Sequence, residues 1–226
     1  MSKNESLVAY ASRQMGSNGY PSHLKKVAAC LENIEKGKIK RLIVQMPPRS
    51  GKTCLGSEAF PEWYLERNPE KTVCSVFYNP HLASHISKQV ARQAGSHYKV
   101  IGVGDDVFEA KIDLIIIDDP TANRDDSHSK GYQREMRHWY TGALRTRLAD
   151  DGAIVVFQTS WSNNDLSNWL LKEYENENWT LFKIPAIDEQ NHSYWPERFP
   201  EKALSVIKSM ISPYDWESLY QHHFLD

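Results

Sequence analysis

Arg41-Leu42-Ile43-Val44-Gln45-Met46-Pro47-Pro48-Arg49-Ser50-Gly51-Lys52-Thr53 passes from a short apolar strand, through a Pro-Pro turn, into a Gly-Lys-Thr that opens a helical stretch, Cys54 to Arg67. A strand, a turn and a helix in that order aim backbone N–H groups and a helix N-terminus at phosphate oxygens. In this arrangement Lys52 reaches the β- and γ-phosphates of ATP, and Thr53 lends its hydroxyl to Mg2+. Pro48, Arg49, Ser50 and Gly51 complete the nucleotide cradle. Met46 stands where the G-x-x-x-x-G-K-[ST] pattern has its first Gly. An isolated Gly-Lys-Thr is also met as a plain Ser-Gly turn entering a helix, so the loop needs a second signal.

That signal lies downstream, in Leu114-Ile115-Ile116-Ile117-Asp118-Asp119, an apolar run that ends in two acids. The form is that of a Mg2+-holding strand: Asp118 holds the ion through water, and Asp119 orients or deprotonates the attacking water. Read alone, the two acids would simply start a turn at Pro120. Both motifs in order, each on its own buried strand, support one another. A further apolar run, Ala153 to Phe157, ends at Gln158-Thr159. These polar groups either sense the γ-phosphate or cap the following helix.

Around the motifs, Leu24, Val27, Ala28, Leu31 and Ile34 recur at helical spacing ahead of the first strand. Thr72 to Tyr78, Tyr98 to Val103 and Thr180 to Ile184 have the β-branched, apolar character of buried strands. Leu166, Trp169, Leu170 and Tyr174 mark a helix between strands, and Leu204, Ile207 and Ile211 a last one. Continuous apolar strands alternating with helices predict an α/β fold, a mainly parallel central sheet flanked by helices. The expected organisation is a P-loop ATPase domain over residues 1–190, with a helical entry segment at 1–38, and a C-terminal helical appendage at 191–226.

With 226 residues and 40% hydrophobic content, the chain can bury one substantial core. Its formal net charge of −2 excludes a uniformly basic surface, so nucleic acid would be held by a local patch or by the pooled charge of an oligomer. Cys30, Cys54 and Cys74 are scattered, which argues against a disulfide framework or zinc ribbon and fits a reducing cytosol. The apolar runs are strand-length, with no membrane span or secretory signal among them.

Over most of its length the chain resembles the large terminase subunits of tailed bacteriophages with a Pro-Pro-Arg-x-Gly-Lys-[Ser/Thr] loop. The resemblance rests on Tyr20-Pro21-Ser22-His23-Leu24, Met46 to Thr53, Ile116 to Pro120, Trp139-Tyr140-Thr141, Leu144 to Leu148, Gln158 to Trp161, Pro185-Ala186-Ile187, Pro213 to Trp216 and Leu219-Tyr220-Gln221, in collinear order. It implies a P-loop NTPase of the additional-strand (ASCE, RecA-like) type, with Ala153 to Phe157 lying between the phosphate-loop and Mg2+ strands. It also implies an ATP- and Mg2+-dependent motor that translocates double-stranded DNA into a procapsid. The motor would work as a homo-oligomeric ring on the portal protein, with a small terminase subunit as a further partner, in the cytoplasm of the bacterial host; the family appends a nuclease to this module, which here is either a separate nuclease subunit or missing through truncation or decay. Arg49 resembles the family's phosphate-loop arginine, which acts on γ-phosphate charge, and a guanidinium suits this role through its fixed fork of donors. Lys52, Asp119 and Arg49 are then the catalytic set. Arg145 and Arg147 either act across a subunit boundary, touch DNA, or are surface charges.

The sequence departs from the family in a short segment before Asp118, with Arg92-Gln93 running quickly into Ala94 to Tyr98, and in Ser160 and Ser162, where Arg and His are usual. No nuclease domain is expected within the 226 residues. The competing readings are a truncated prophage remnant that binds nucleotide or partners, and another DNA-dependent ATPase or helicase. His81 and His85 lack the Glu of a zinc hydrolase, His222-His223 lack a third ligand, and Trp161, Trp169 and Trp179 are expected to pack in the core.

Overall fold

The computed structural model describes residues 5–15, 20–78, 81, 83, 84, 86, 90, 97–108 and 111–224. Six strands form one sheet: β1 (Arg41–Gln45), β2 (Val73–Phe77), β3 (Tyr98–Gly102), β4 (Ile112–Asp118), β5 (Leu148–Gln158) and β6 (Thr180–Lys183). Their order is β3-β2-β4-β5-β1-β6 and every pairing is parallel. β5 therefore lies between the loop-bearing β1 and the acid-bearing β4, as the additional-strand architecture requires. Register brings Gln45 beside Gln158 and Asp118 beside Phe157, so the ends of all three strands open at one edge.

Alternation along the strands sorts the core into two layers. Leu42, Val44, Leu114, Ile116, Val155 and Phe157 face one side; Ile43, Ile115, Ile117, Ile154 and Val156 face the other. Leu114 to Ile117 are fully buried, each side chain contributing about 1.5–3 kcal/mol by leaving water. The first side is covered by α1 (Leu7–Met15), α2 (Ser22–Glu35) and α3 (Phe60–Arg67). The expected stripe on α2 is the one buried: Leu24, Val27, Ala28, Leu31 and Ile34. Onto the second side pack Met136 of α5 (Lys130–Trp139), which follows the short α4 (Arg124–His128), and Leu166 and Leu170 of α6 (Leu166–Glu173).

The helix after the phosphate loop begins as a π-helix, Cys54–Ala59, before α3 takes over. Pro61 has no N–H to give the carbonyl four residues back, that of Ser57; the Tyr98 hydroxyl donates to this carbonyl at 3.4 Å instead. Gly56 is needed here, because a Cβ would come within 2.3 Å of the Phe157 ring. The wide turn and the glycine together seat the helix against β5.

After β6 a third apolar cluster forms around Ala186, Leu204 and Trp216, using α7 (Glu201–Met210) and a π turn at Trp216–Tyr220. Tyr194 touches both this cluster and the first core layer. Among the described residues no helix is long and apolar enough to cross a membrane.

Candidate functional site

A cavity of about 400 Å³ opens where β1, β2, β4 and β5 end. The carboxyl edge of a parallel sheet is where α/β proteins place their ligands. Pro48, Arg49, Lys52, Thr53, Asp118, Asp119 and Thr159 all line it, so the lysine and acids separated by more than sixty positions in sequence share one space.

The loop is shaped by a few positions. Met46 is fully buried and its N–H donates to the Gln158 carbonyl at 3.3 Å, so the chain leaves β1 still extended where the consensus has a Gly. The turn comes later, with Arg49 at φ 60° and Gly51 at φ 92°. A side chain at Gly51 would be strained by that φ and would meet Leu24 Cδ1 at 3.0 Å. From below, His23 Nε2 donates to the Ser50 carbonyl at 3.0 Å. Burial pushes the His23 pKa down, and the hydrogen bond ties the loop to α2.

Lys52 is 5% exposed and forms the hub. Its Nζ donates to Thr159 Oγ1 at 2.6 Å and to the Pro47 carbonyl at 3.2 Å, and lies 3.5 Å from Asp119 Oδ2. Asp119, at φ 43°, accepts from the Thr159 N–H at 2.5 Å through Oδ1 and from the Thr159 hydroxyl at 3.4 Å through Oδ2. A single threonine thus joins the cation of the loop to the second acid. Asp118 is buried, and its Oδ2 accepts from Ser57 Oγ at 2.8 Å. Burial drives the Asp118 carboxyl above the ordinary aspartate range and the Asp119 charge adds to this, while Ser57, Lys52 and Thr53 oppose it. A hard divalent cation suits this corner: Asp118 Oδ1 is buried without a hydrogen-bond partner, and the Thr53 hydroxyl shares the lining.

Three expected site residues stand outside the lining. Ser50 is buried beneath the loop and Gly51 supplies only its turn. Gln158 is fully buried, and its Oε1 accepts from the Ser167 N–H at 2.9 Å. Gln45, its neighbour in register, donates to Ser167 Oγ and Asn168 Oδ1. The two glutamines hold the start of α6, so the capping alternative describes Gln158, and Thr159 alone faces the cavity.

Other contributors were not anticipated: Phe77, Tyr78, Thr121, Ala122 and Trp161 complete the lining, and Ser57 supports Asp118. Phe77 could be found only through strand order, which pairs it with Asp118. Trp161, expected in the core, is half-buried at the cavity wall, whereas Trp169 packs edge-on against Tyr140 at 6.0 Å. Arg145 pairs with Glu177, which also binds Arg41 at 2.9 Å, so its guanidinium is engaged within the chain. His222 is buried, donates to the Ile184 carbonyl at 3.0 Å, and has its pKa pushed down to about 3 by burial. His85 and the stretch Arg92 to Ser96 lie outside the described residues.

Searches of family models and of curated proteins with the sequence find no match. Solved structures do match in fold. A mutant of the large terminase ATPase domain of Thermus phage P74-26 superposes with a TM-score of 0.61 at 14% identity, over 95% of this chain and 97% of that one. The large terminase of bacteriophage HK97 gives 0.57 at 13% identity, over 96% of this chain and 50% of its own. A large terminase from a thermophilic bacteriophage, in complex with ADP, gives 0.50 at 8% identity, over 89% of this chain and 53% of its own. The chain has the RecA-like P-loop fold of these ATPase domains, and it spans about half the length of the HK97 protein.

Proposed function

We propose that the chain is the ATPase module of a viral DNA-packaging motor, one that hydrolyses ATP to translocate double-stranded DNA into a procapsid. The convergence of Lys52, Thr53, Asp118, Asp119 and Thr159 on one cavity carries this reading. Lys52 holds the β- and γ-phosphates, and Arg49, on the exposed rim, meets γ-phosphate charge. Thr53 and Asp118 hold Mg2+, which when bound neutralises charge developing on the phosphates. Asp119 orients the attacking water or takes its proton, and the Lys52–Thr159–Asp119 linkage passes a change at the γ-phosphate to β5. In this reading residues 1–190 form the ATPase domain and 191–226 an appendage. The chain works as a ring in the host cytoplasm, on a portal protein and with a small terminase subunit.

The test is ATP turnover by the purified chain, with and without double-stranded DNA, against Lys52→Ala. Turnover that DNA stimulates and the substitution abolishes supports the motor. Nucleotide binding without turnover would instead identify a remnant, and strand separation a helicase.

A further inference from the structure

The helix α5 has two unlike faces. Met136 points into the second core layer, while Lys130, Arg134, Arg137 and His138 lie together on the outer side along a groove of about 450 Å³. Arg137 joins this groove to a second, of about 540 Å³, where Asn163, Asn164, Asn168 and Lys172 add amides and another cation, with Glu173 as the one acid of the lining. The Arg137 guanidinium sits 5.3 Å over the Trp169 ring and donates to the Asn164 carbonyl at 3.4 Å, which fixes it at the junction.

Several surface cations elsewhere are paired, as Lys36 is with Glu32, Lys40 with Asp151 and Lys71 with Asp113. Among the described residues no ion pair engages Lys130, Arg134, Arg137 or Lys172. Keeping like charges adjacent and unpaired is unfavourable unless something anionic covers them. Nine residues of helix, from Lys130 to His138, extend over roughly 12 Å, longer than one free phosphate and enough to follow several on a duplex, which carries about one charge per 1.7 Å of axis. The exposed Asn163 and Asn164 suit phosphate oxygens as neutral donors, whereas the Asn168 amide is held by the Ser162 carbonyl at 2.8 Å.

The same helix reaches the cavity. The Tyr132 hydroxyl donates to the Pro120 carbonyl at 2.6 Å, immediately after the acid pair, and its ring packs edge-on against Tyr78 of the cavity wall at 6.5 Å.

We infer that the outer face of α5, continued by Asn163, Asn164 and Lys172, is the surface on which this chain holds the phosphate backbone of double-stranded DNA, with Tyr132 linking that surface to the acid pair. The inference rests on the motor reading for its purpose and stands on its own for binding. It is tested with the full chain and a random-sequence duplex, measuring affinity across a salt series for Lys130→Gln, Arg134→Gln and Lys172→Gln combined. The control carries the same charge change at the exposed Lys25, Lys26 and Lys38.

The α5 variant is expected to weaken binding at least tenfold and to flatten log affinity against log salt by about 0.9 per lost contact, so by about 2 to 3. The control should keep the slope, and DNA-free ATP turnover should be unchanged in both. Equal losses in both variants, an unchanged slope in the α5 variant, or altered self-association with DNA binding intact would each overturn the inference. DNA binding through this face in a chain without ATP turnover would uphold the surface and sink the motor reading. Turnover with an unchanged slope would do the reverse.

Discussion

At the cavity, charge is answered by polar partners: Lys52 stands between Thr159 and Asp119, and the buried Asp118 leans on Ser57. In the tail after Lys183 rings pack against rings instead. Trp216 stacks on Tyr220 at 5.0 Å and Tyr194 on Phe199 at 5.9 Å, and cations lie over aromatic faces, Arg198 over Trp195 at 5.0 Å and Lys208 over Trp216 at 5.3 Å. The first region holds ionisable groups that fold poorly unless paired; the second draws on buried area and ring contacts. The contrast sets the residues proposed for chemistry apart from residues that hold the fold.

Substitutions can break that contrast. Lys52→Ala should lower ATP turnover by 10²-fold or more, the scale of losing one group aimed at developing charge, while circular dichroism stays native. A variant that keeps turnover would remove the cavity from the reaction. Trp216→Ala, at a residue 1% exposed, should cost about 3–5 kcal/mol in denaturant unfolding and leave turnover measurable at low temperature. Comparable loss of turnover in the cold would show that the tail takes part in the chemistry.

The smallest effect is a gain. Burial holds the Asp118 carboxyl above its ordinary value, and Asp165, whose Oδ2 accepts from Trp161 and Ser162, is pushed up to about 6. A raised carboxyl binds its proton more tightly when folded. Its contribution is therefore complete below the unfolded value near 3.8 and is lost as pH rises toward about 6. Asp118→Asn should abolish turnover yet raise the thermal midpoint at pH 7 by about 2–4 °C per kcal/mol gained, with less decline between pH 4 and 6. A lower midpoint would mean that the carboxylate stabilises its own surroundings.

The strands were legible because β-branched runs buried on both sides leave few alternatives: Arg41 to Gln45 forms β1 as read. The start of β5 was hidden, since Ala149, Asp150, Asp151 and Gly152 have the composition of a turn; they continue the strand at an exposed end, with Leu148 pairing to Ile112. Within the site, Lys52, Thr53, Asp118 and Asp119 were visible because adjacent-residue motifs encode them. Ser57 was not, because its direction depends on the π turn before Pro61, and Tyr78 was not, because only strand order brings β2 beside β4. Gln158 and Thr159 show the limit from the other side: successive residues on a strand point oppositely, and nothing in their spelling says which one faces the opening.

Arg49 and Asp119, at φ 60° and 43°, hold left-handed backbone in two walls of the same cavity lining, where glycine would sit at ease. A glycine would relax either wall and delete the guanidinium or the carboxylate with it. Each wall therefore keeps a local tension of about 1 kcal/mol that glycine would release, so under the proposed function drift toward a more comfortable loop and drift toward a silent one are the same path.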